Sequence, residues 1–146
     1  MYTADAGLLL ACLEQILYEN VVMEEPEQTP IWIGPAQEAD SENACSLAWP
    51  ELPFAKCPPP LATVKWSNIT LRNIRVMGSK VSPGIVYGNE KSPMNGVVFD
   101  GVVFEPASPK ARPWRDSFYY CTGVRGFATG STTPVPPCFA HDNSTL

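Results

Sequence analysis

The sequence is poor in basic residues and in histidine, and it has no long apolar run. Its 146 residues carry 10 Lys and Arg against 15 Asp and Glu, and this net charge of −5 disfavours nucleic acid as a partner. No run of about 18 apolar residues occurs, so we predict no membrane-spanning helix and no membrane partner. The single histidine, His141, lies in a polar tail and no Cys-x-x-Cys pair occurs, so we predict no metal and no cofactor.

Segments that favour helix are also scarce. The 16 prolines and 10 glycines are spread along the chain. Both residue types limit helices, because proline lacks a backbone donor and glycine costs backbone entropy. A chain of this length is typical of one domain. The composition therefore predicts one domain of all-β or loop-rich structure.

The five cysteines are many for so short a chain and are typical of secreted proteins. Cys45 and Cys57 bracket a short loop, and Cys121 and Cys138 bracket a segment rich in Gly, Thr and Pro. Closing such loops stabilises a fold that has little core beneath them. We predict these two local disulfides, which leave Cys12 without a partner.

Two N-glycosylation sequons also favour an extracellular location. They make Asn68 and Asn143 candidate glycan acceptors. The apolar stretch 7–13 lacks the basic leader of a signal peptide. Secretion is therefore predicted from the cysteines and sequons, and a truncated N-terminus would explain the weak export signal.

Four segments share one pattern, in the order apolar, any, apolar, polar, Asn or Gly, apolar, any, large apolar. They are 16–23, 69–76, 97–104 and 119–126, the last departing from the pattern at its final position. Alternation puts the first two apolar positions on one face of a strand. Asn and Gly tolerate the left-handed backbone of a sharp bend, which we therefore predict at Asn20, Asn73, Gly101 and Gly123.

The spacing of these bends predicts a solenoid. Asn73 and Gly101 are 28 residues apart, and Gly101 and Gly123 are 22 apart. Repeats of this length stack columns of like side chains into one core. Further short strands are predicted at 30–33 and 84–87.

The repeats divide the chain into three parts. About four coils are predicted over 15–139, preceded by an atypical segment, 1–14, that fits the pattern poorly. A polar tail, 140–146, follows them.

Several of these segments resemble the late coils of polygalacturonase-like glycoside hydrolases, which have the pectin-lyase fold. The segments are 18–23, 66–74, 82–86 and the ending from Tyr120 to Phe139. The resemblance implies a right-handed parallel β-helix in a secreted or cell-wall protein. It also implies metal-independent hydrolysis of pectic polysaccharide by paired aspartates.

The stretches that carry catalysis in this family are absent. None of Asn-Thr-Asp, Asp-Asp, Gly-His-Gly or Arg-Ile-Lys occurs in the sequence. In the family they precede the coils that 15–139 resembles, so we expect a C-terminal fragment with no catalytic residue of its own. The alternative is a non-catalytic β-helix that binds carbohydrate or serves as an extracellular scaffold.

The best candidate binding residues are Lys65, Arg72 and Arg75. The alternation places both arginines on the outer face, with Lys65 and Trp66 just upstream, and cations beside an aromatic ring suit an acidic, pectin-like polysaccharide. The alternative is that outward strand positions are commonly charged. Exact substrate and oligomeric state stay open.

Overall fold

The computed structural model describes residues 12–34, 57–107 and 118–141. These residues form strands and connecting turns, with no helix long and apolar enough to cross a membrane. The strands are β1 (Cys12–Glu24), β2 (Ile31–Ile33), β3 (Lys65–Ser79), β4 (Gly84–Tyr87), β5 (Met94–Pro106), β6 (Tyr120–Thr122), β7 (Val124–Thr129) and β8 (Ala140–His141). The prediction of all-β structure is confirmed.

The strands form two parallel sheets, and the chain alternates between them from β1 to β7. The larger sheet has the order β1-β3-β5-β7-β8 and the smaller one the order β2-β4-β6. Parallel neighbours need a crossover connection, because a tight hairpin reverses the strand direction. From β1 to β7 each crossover passes through a strand of the other sheet, whereas β7 and β8 follow each other within the larger sheet. The predicted strands at 30–33 and 84–87 correspond to β2 and β4, and the closure of the sheets into a solenoid stays a prediction.

The long strands bend every five residues through left-handed backbone. In β3 the bends are at Asn68, Asn73 and Gly78, with φ of 54°, 51° and 70°. Between the bends side chains alternate inward and outward, so the inward positions of β3 are spaced by two, three and two residues. The buried ones are Ile69, Leu71, Ile74 and Val76. Five-residue bending therefore explains the apolar spacing of the repeat.

The same bends recur at matching positions on the neighbouring strands. Positive φ also occurs at Gln15, Asn20, Glu25, Gly96 and Gly101. The register pairs Ile16 with Ile69, and Ile69 with Val97. The predicted alignment of the first three repeats is confirmed.

The predicted alignment of the fourth repeat is wrong. Tyr120–Thr122 lies in the smaller sheet, and β7 pairs with β5 so that Gly126 is beside Val97. The bend next to Gly101 is therefore at Gly130, with φ of 62°. The predicted left-handed backbone at Gly123 is present, with φ of 61°, but it lies between β6 and β7 and not beside Gly101. Strands of both sheets show the same apolar alternation, so the pattern alone did not distinguish them.

Inward residues of both sheets share one core. Phe99, at the centre of β5, contacts the rings of Tyr119 and Phe139 edge to face, at centroid distances of 5.5 and 5.1 Å. The smaller sheet contributes Ile31, Ile33 and Val86 to the same cluster. Burial of this apolar surface is the main force that holds the two sheets together.

The disulfide between Cys121 and Cys138 ties β6 to the segment before β8. Its Cα atoms are 5.6 Å apart, within the usual range for a disulfide. This predicted bond is present. Cys57 is also disulfide-bonded, whereas Cys45 lies outside the described residues. Cys12 is a free, exposed thiol.

Candidate carbohydrate-binding face

The outer face of the larger sheet carries a row of polar side chains at one register. The row runs across β1, β3, β5 and β7 through Glu19, Arg72, Asp100 and Thr129. Arg72 Nε donates to Asp100 Oδ2 at 3.2 Å, and Arg72 Nη1 lies 3.7 Å from Glu19 Oε2. Thr129 Oγ1 donates to Asp100 Oδ1 at 3.1 Å. Neighbouring strands are thus linked through this row.

Arg75 lies beyond the bend at Asn73 and makes a separate ion pair. Its Nη2 donates to Glu105 Oε1 at 2.8 Å. The side chains of Arg72 and Arg75 are 52% and 57% exposed, so both project outward as the alternation predicts. Exposed pairs of this kind contribute about 0–1 kcal/mol, so a sugar carboxylate can compete for the arginines.

The charge balance of this face does not favour an acidic ligand. Two guanidinium groups face the three carboxylates of Glu19, Asp100 and Glu105. A guanidinium has five N–H donors, and the ion pairs occupy only some of them. The face therefore offers directional donors without a net positive potential, and acidic polysaccharide stays a predicted ligand.

Lys65 does not join the two arginines. It is exposed at the first position of β3, seven residues before Arg72, a separation of up to roughly 23 Å at about 3.3 Å per residue. It forms no ion pair with any residue of 12–34, 57–107 or 118–141. The three predicted binding residues therefore form no single cluster.

The two described tryptophans pack against the protein interior. Trp66 is partly buried against the main core, and its buried indole N–H has no hydrogen-bond partner among the described residues. Trp32 packs against the small cluster of Cys57, Ile85 and Tyr87. Both rings thus contribute to packing. Trp49 and Trp114 lie outside the described residues.

Two acidic residues line an open depression of about 440 Å³ at the end of β1. Glu24 and Glu25 share it with Met77 and Gly78. The Glu25 N–H donates to the carbonyl of Met77 at 2.8 Å, which continues the strand pairing beyond Glu24. No group of three potential metal ligands occurs in the described part of the chain.

A second depression, of about 310 Å³, lies beside the disulfide and was not predicted. Glu90 Oε1 accepts hydrogen bonds from the Thr122 hydroxyl and, at 2.9 Å, from the Gly123 N–H. Exposed Arg125 also lines it. The carboxylate fixes the turn after β4 to the bend between β6 and β7. Since Glu90 and Gly123 are 33 residues apart, no local sequence signal connects them.

The sequon at Asn68 lies at a bend of β3. Asn68 is exposed, whereas Thr70, the hydroxyl residue of the sequon, is half-buried. A Cβ on Gly96 would lie 2.8 Å from Asn68 Oδ1, so the amide group rests on the next strand. Glycosylation of Asn68 stays a prediction, and Asn143 lies outside the described residues.

Comparison with protein-family models gave no match. Searches among curated proteins and among solved structures gave none either. The resemblance to polygalacturonases and the extracellular location therefore stay predictions.

Proposed function

We propose that this chain forms the C-terminal coils of a right-handed parallel β-helix in a polygalacturonase-like glycoside hydrolase. The alternation of the chain between two parallel sheets carries this proposal. From β3 to β7 the strands of the larger sheet advance by a nearly constant number of residues: Arg72 and Asp100 are 28 apart, and Asp100 and Thr129 are 29 apart. The advance from β1 to β3 is longer, since Asn20 and Asn73 are 53 apart. A constant advance is the mark of stacked coils.

The shared core and the crossovers support closure into a solenoid. Ile31 and Val86 of the smaller sheet lie in one cluster with Leu71 and Phe99 of the larger sheet. Crossovers between parallel strands of one sheet are right-handed in about 98% of cases. Right-handed coils are therefore favoured.

The chemistry follows from the family resemblance. One aspartic acid protonates the glycosidic oxygen and a second aspartate activates water, with the carboxyl groups roughly 6.5–9.5 Å apart. In our proposal the two catalytic carboxyl groups belong to preceding coils of a longer protein. This chain continues the hydrophobic core of those coils. The substrate is a pectic or related polysaccharide, and the protein is secreted or bound to the cell wall.

A hydrolysis assay on two protein lengths tests this proposal. We would sequence the full transcript, express the longest encoded protein, and measure reducing ends released from polygalacturonic acid. The longer protein is expected to be active and the 146-residue chain inactive. Activity of the short chain, or upstream coils without paired aspartates, would contradict the proposal.

The second candidate function is non-catalytic carbohydrate binding, which the partly exposed donors of Arg72 and Arg75 favour. If the face binds acidic sugar, replacing both arginines by Ala should weaken oligogalacturonate binding about tenfold or more, equivalent to about 1.4 kcal/mol. Lys91→Ala is the control, because Lys91 is exposed in the turn after β4 and not on a strand of this face. Equal affinity of all variants would contradict carbohydrate binding through Arg72 and Arg75 and would favour the scaffold role.

A further inference from the structure

One edge of β1 has no partner strand in the described part of the chain, and it carries exposed apolar side chains. One edge of β1 pairs with β3 from Cys12 to Glu24, and no described strand pairs with the other. Tyr18, Leu71 and Phe99 share one inward register position on β1, β3 and β5. The exposed fraction of these residues falls from 60% to 6% to 0% in that order. Within residues 12–34, 57–107 and 118–141, no strand covers the core at β1. Unpaired edges of this kind are templates for another strand.

The five-residue pattern selects the direction of the strand that fits. After the bend at Gln15, positions 16 and 18 face inward and 17 and 19 outward, followed by the bend at Asn20. Between two bends the positions of β1 face in, out, in and out, so an antiparallel strand with aligned bends has the order out, in, out and in beside them. Antiparallel pairing would therefore place the polar positions of the added strand over the core. Only a parallel strand places its apolar positions beside those of β1. A two-fold dimer through β1 is disfavoured, because it requires antiparallel pairing.

The bend residues favour an amide at the matching position. Asn73 Nδ2 donates to Asn20 Oδ1 at 2.7 Å. The Nδ2 group of Asn20 has no hydrogen-bond partner in the described part of the chain. An Asn on an added strand would accept from it and extend the row.

The charges of β1 favour a basic strand. Glu14, Glu19 and Glu24 each precede a bend, and all three are exposed. On β3 the matching position beside Glu19 is Arg72, which lies 3.7 Å away. Lys or Arg before each bend of an added strand would complement the three glutamates.

We propose that the free edge of β1 docks a parallel β-strand with this five-residue pattern: inward apolar positions, Lys or Arg before each bend, and Asn or Gly at the bend. In the proposed longer protein this strand belongs to the preceding coil. The inference therefore rests on the coil architecture of the proposed function, but it does not require hydrolase activity. A negative hydrolysis assay would contradict the proposed hydrolase but not the docking of a strand at β1. Failed docking would contradict this inference but would not change the result of the hydrolysis assay.

Cys12 provides a register reporter for the test. The probe is a synthetic peptide of residues 65–79 with Ser67→Lys and Met77→Lys, which place cations opposite Glu14 and Glu24. A cysteine in place of Lys65 would lie beside Cys12 in parallel register, since Cys12 pairs with Lys65 in the existing sheet. Neighbouring strands lie about 4.8 Å apart, close enough for a disulfide. The control peptide carries its cysteine at the other end.

The measurement is the fraction of mixed disulfide at equilibrium in a glutathione buffer, read by mass spectrometry on the full chain. We expect at least about tenfold more trapping of the first peptide than of the control. Glu14→Lys in the protein should reduce trapping severalfold, and a peptide with Ser67→Glu instead of Ser67→Lys should restore it. Equal trapping of both peptides would overturn the proposal. So would preferential Cys12–Cys12 dimers, which would assign the edge to a second copy.

Discussion

The ring of Phe139 fills the space beside Gly126, where a Cβ would lie 2.8 Å from Cε1 and 2.9 Å from Cζ of that ring. Gly126 occupies the register position of Val97, in a column that holds Ile69 on β3. A residue from the segment before β8 thus supplies the apolar group that Gly126 lacks. Phe139 is buried and also packs on Phe99, so it covers the core at the β8 side of the larger sheet.

Replacing Phe139 by Ala should open this side of the core. We expect a loss of about 3–5 kcal/mol in the free energy of unfolding, the usual cost of a buried Phe→Ala change. Urea unfolding followed by circular dichroism measures it. Phe127→Ala is the matched control: Phe127 is exposed on β7, so the expected loss is under about 1 kcal/mol. Equal losses for the two variants would contradict the packing role of Phe139.

The same pair explains why the fourth repeat was misaligned from sequence. The first three repeats carry Ile16, Ile69 and Val97 in one column, so an apolar pattern detects them. At Gly126 the apolar group comes from another segment, and no local pattern records that. The bends at every fifth residue were detectable, because Asn68, Asn73 and Gly78 recur at that spacing, but only the middle one was predicted.

In the candidate site, the outward direction of the two arginines was predictable from sequence, but their ion-pair partners were not. Alternation along β3 predicts that Arg72 and Arg75 face outward, because it depends only on local geometry. Their partners Asp100 and Glu105 lie 28 and 30 residues away. Pairing at that distance depends on the register between strands, and a single sequence does not fix it.

The bend at Asn73 combines a left-handed backbone with a side-chain hydrogen bond, and two substitutions separate these effects. Asn73→Gly keeps the backbone freedom and removes the bond to Asn20, so we expect a loss of about 0.5–1.5 kcal/mol. Asn73→Ala removes the bond and adds roughly 1–2 kcal/mol of backbone strain. Thermal or urea unfolding of both variants measures the difference. Equal stability of the Gly and Ala variants would exclude the strain contribution.

Tyr119 is fully buried, and its hydroxyl has no hydrogen-bond partner in the described part of the chain. Tyr119→Phe should therefore leave stability at pH 7 unchanged or raise it by roughly 1 kcal/mol, because an unsatisfied buried group is removed. Tyr87→Phe is the contrasting variant. The Tyr87 hydroxyl donates to the Cys57 carbonyl, and its loss should cost about 1 kcal/mol. A larger loss for Tyr119→Phe than for Tyr87→Phe would contradict this.

Tyr119 also gives the fold a predicted alkaline sensitivity. Burial raises its pKa above the ordinary value of 10.0, so the unfolded chain ionises first as the pH rises. Well below about pH 10, Tyr119 is neutral in both states and its ionisation does not affect the free energy of unfolding. As the pH rises through about 10, ionisation in the unfolded chain progressively lowers that free energy. The stability advantage of Tyr119→Phe over the wild type should therefore grow between about pH 9 and about pH 11, as measured by urea unfolding at each pH. A constant difference would show that Tyr119 titrates normally.

The disulfide between Cys121 and Cys138 closes a loop with a sequence separation of 17 residues beside the covered side of the core. Replacing both cysteines by Ser should lower the free energy of unfolding by about 3 kcal/mol, the value expected for a loop of roughly this length. The double replacement avoids leaving one reactive thiol behind. Cys12→Ser is the control and should change stability little, because Cys12 is free and exposed on β1. If the double variant matched this control, the disulfide would contribute nothing to stability, and β8 would be held by the packing of Phe139 and by its pairing with β7.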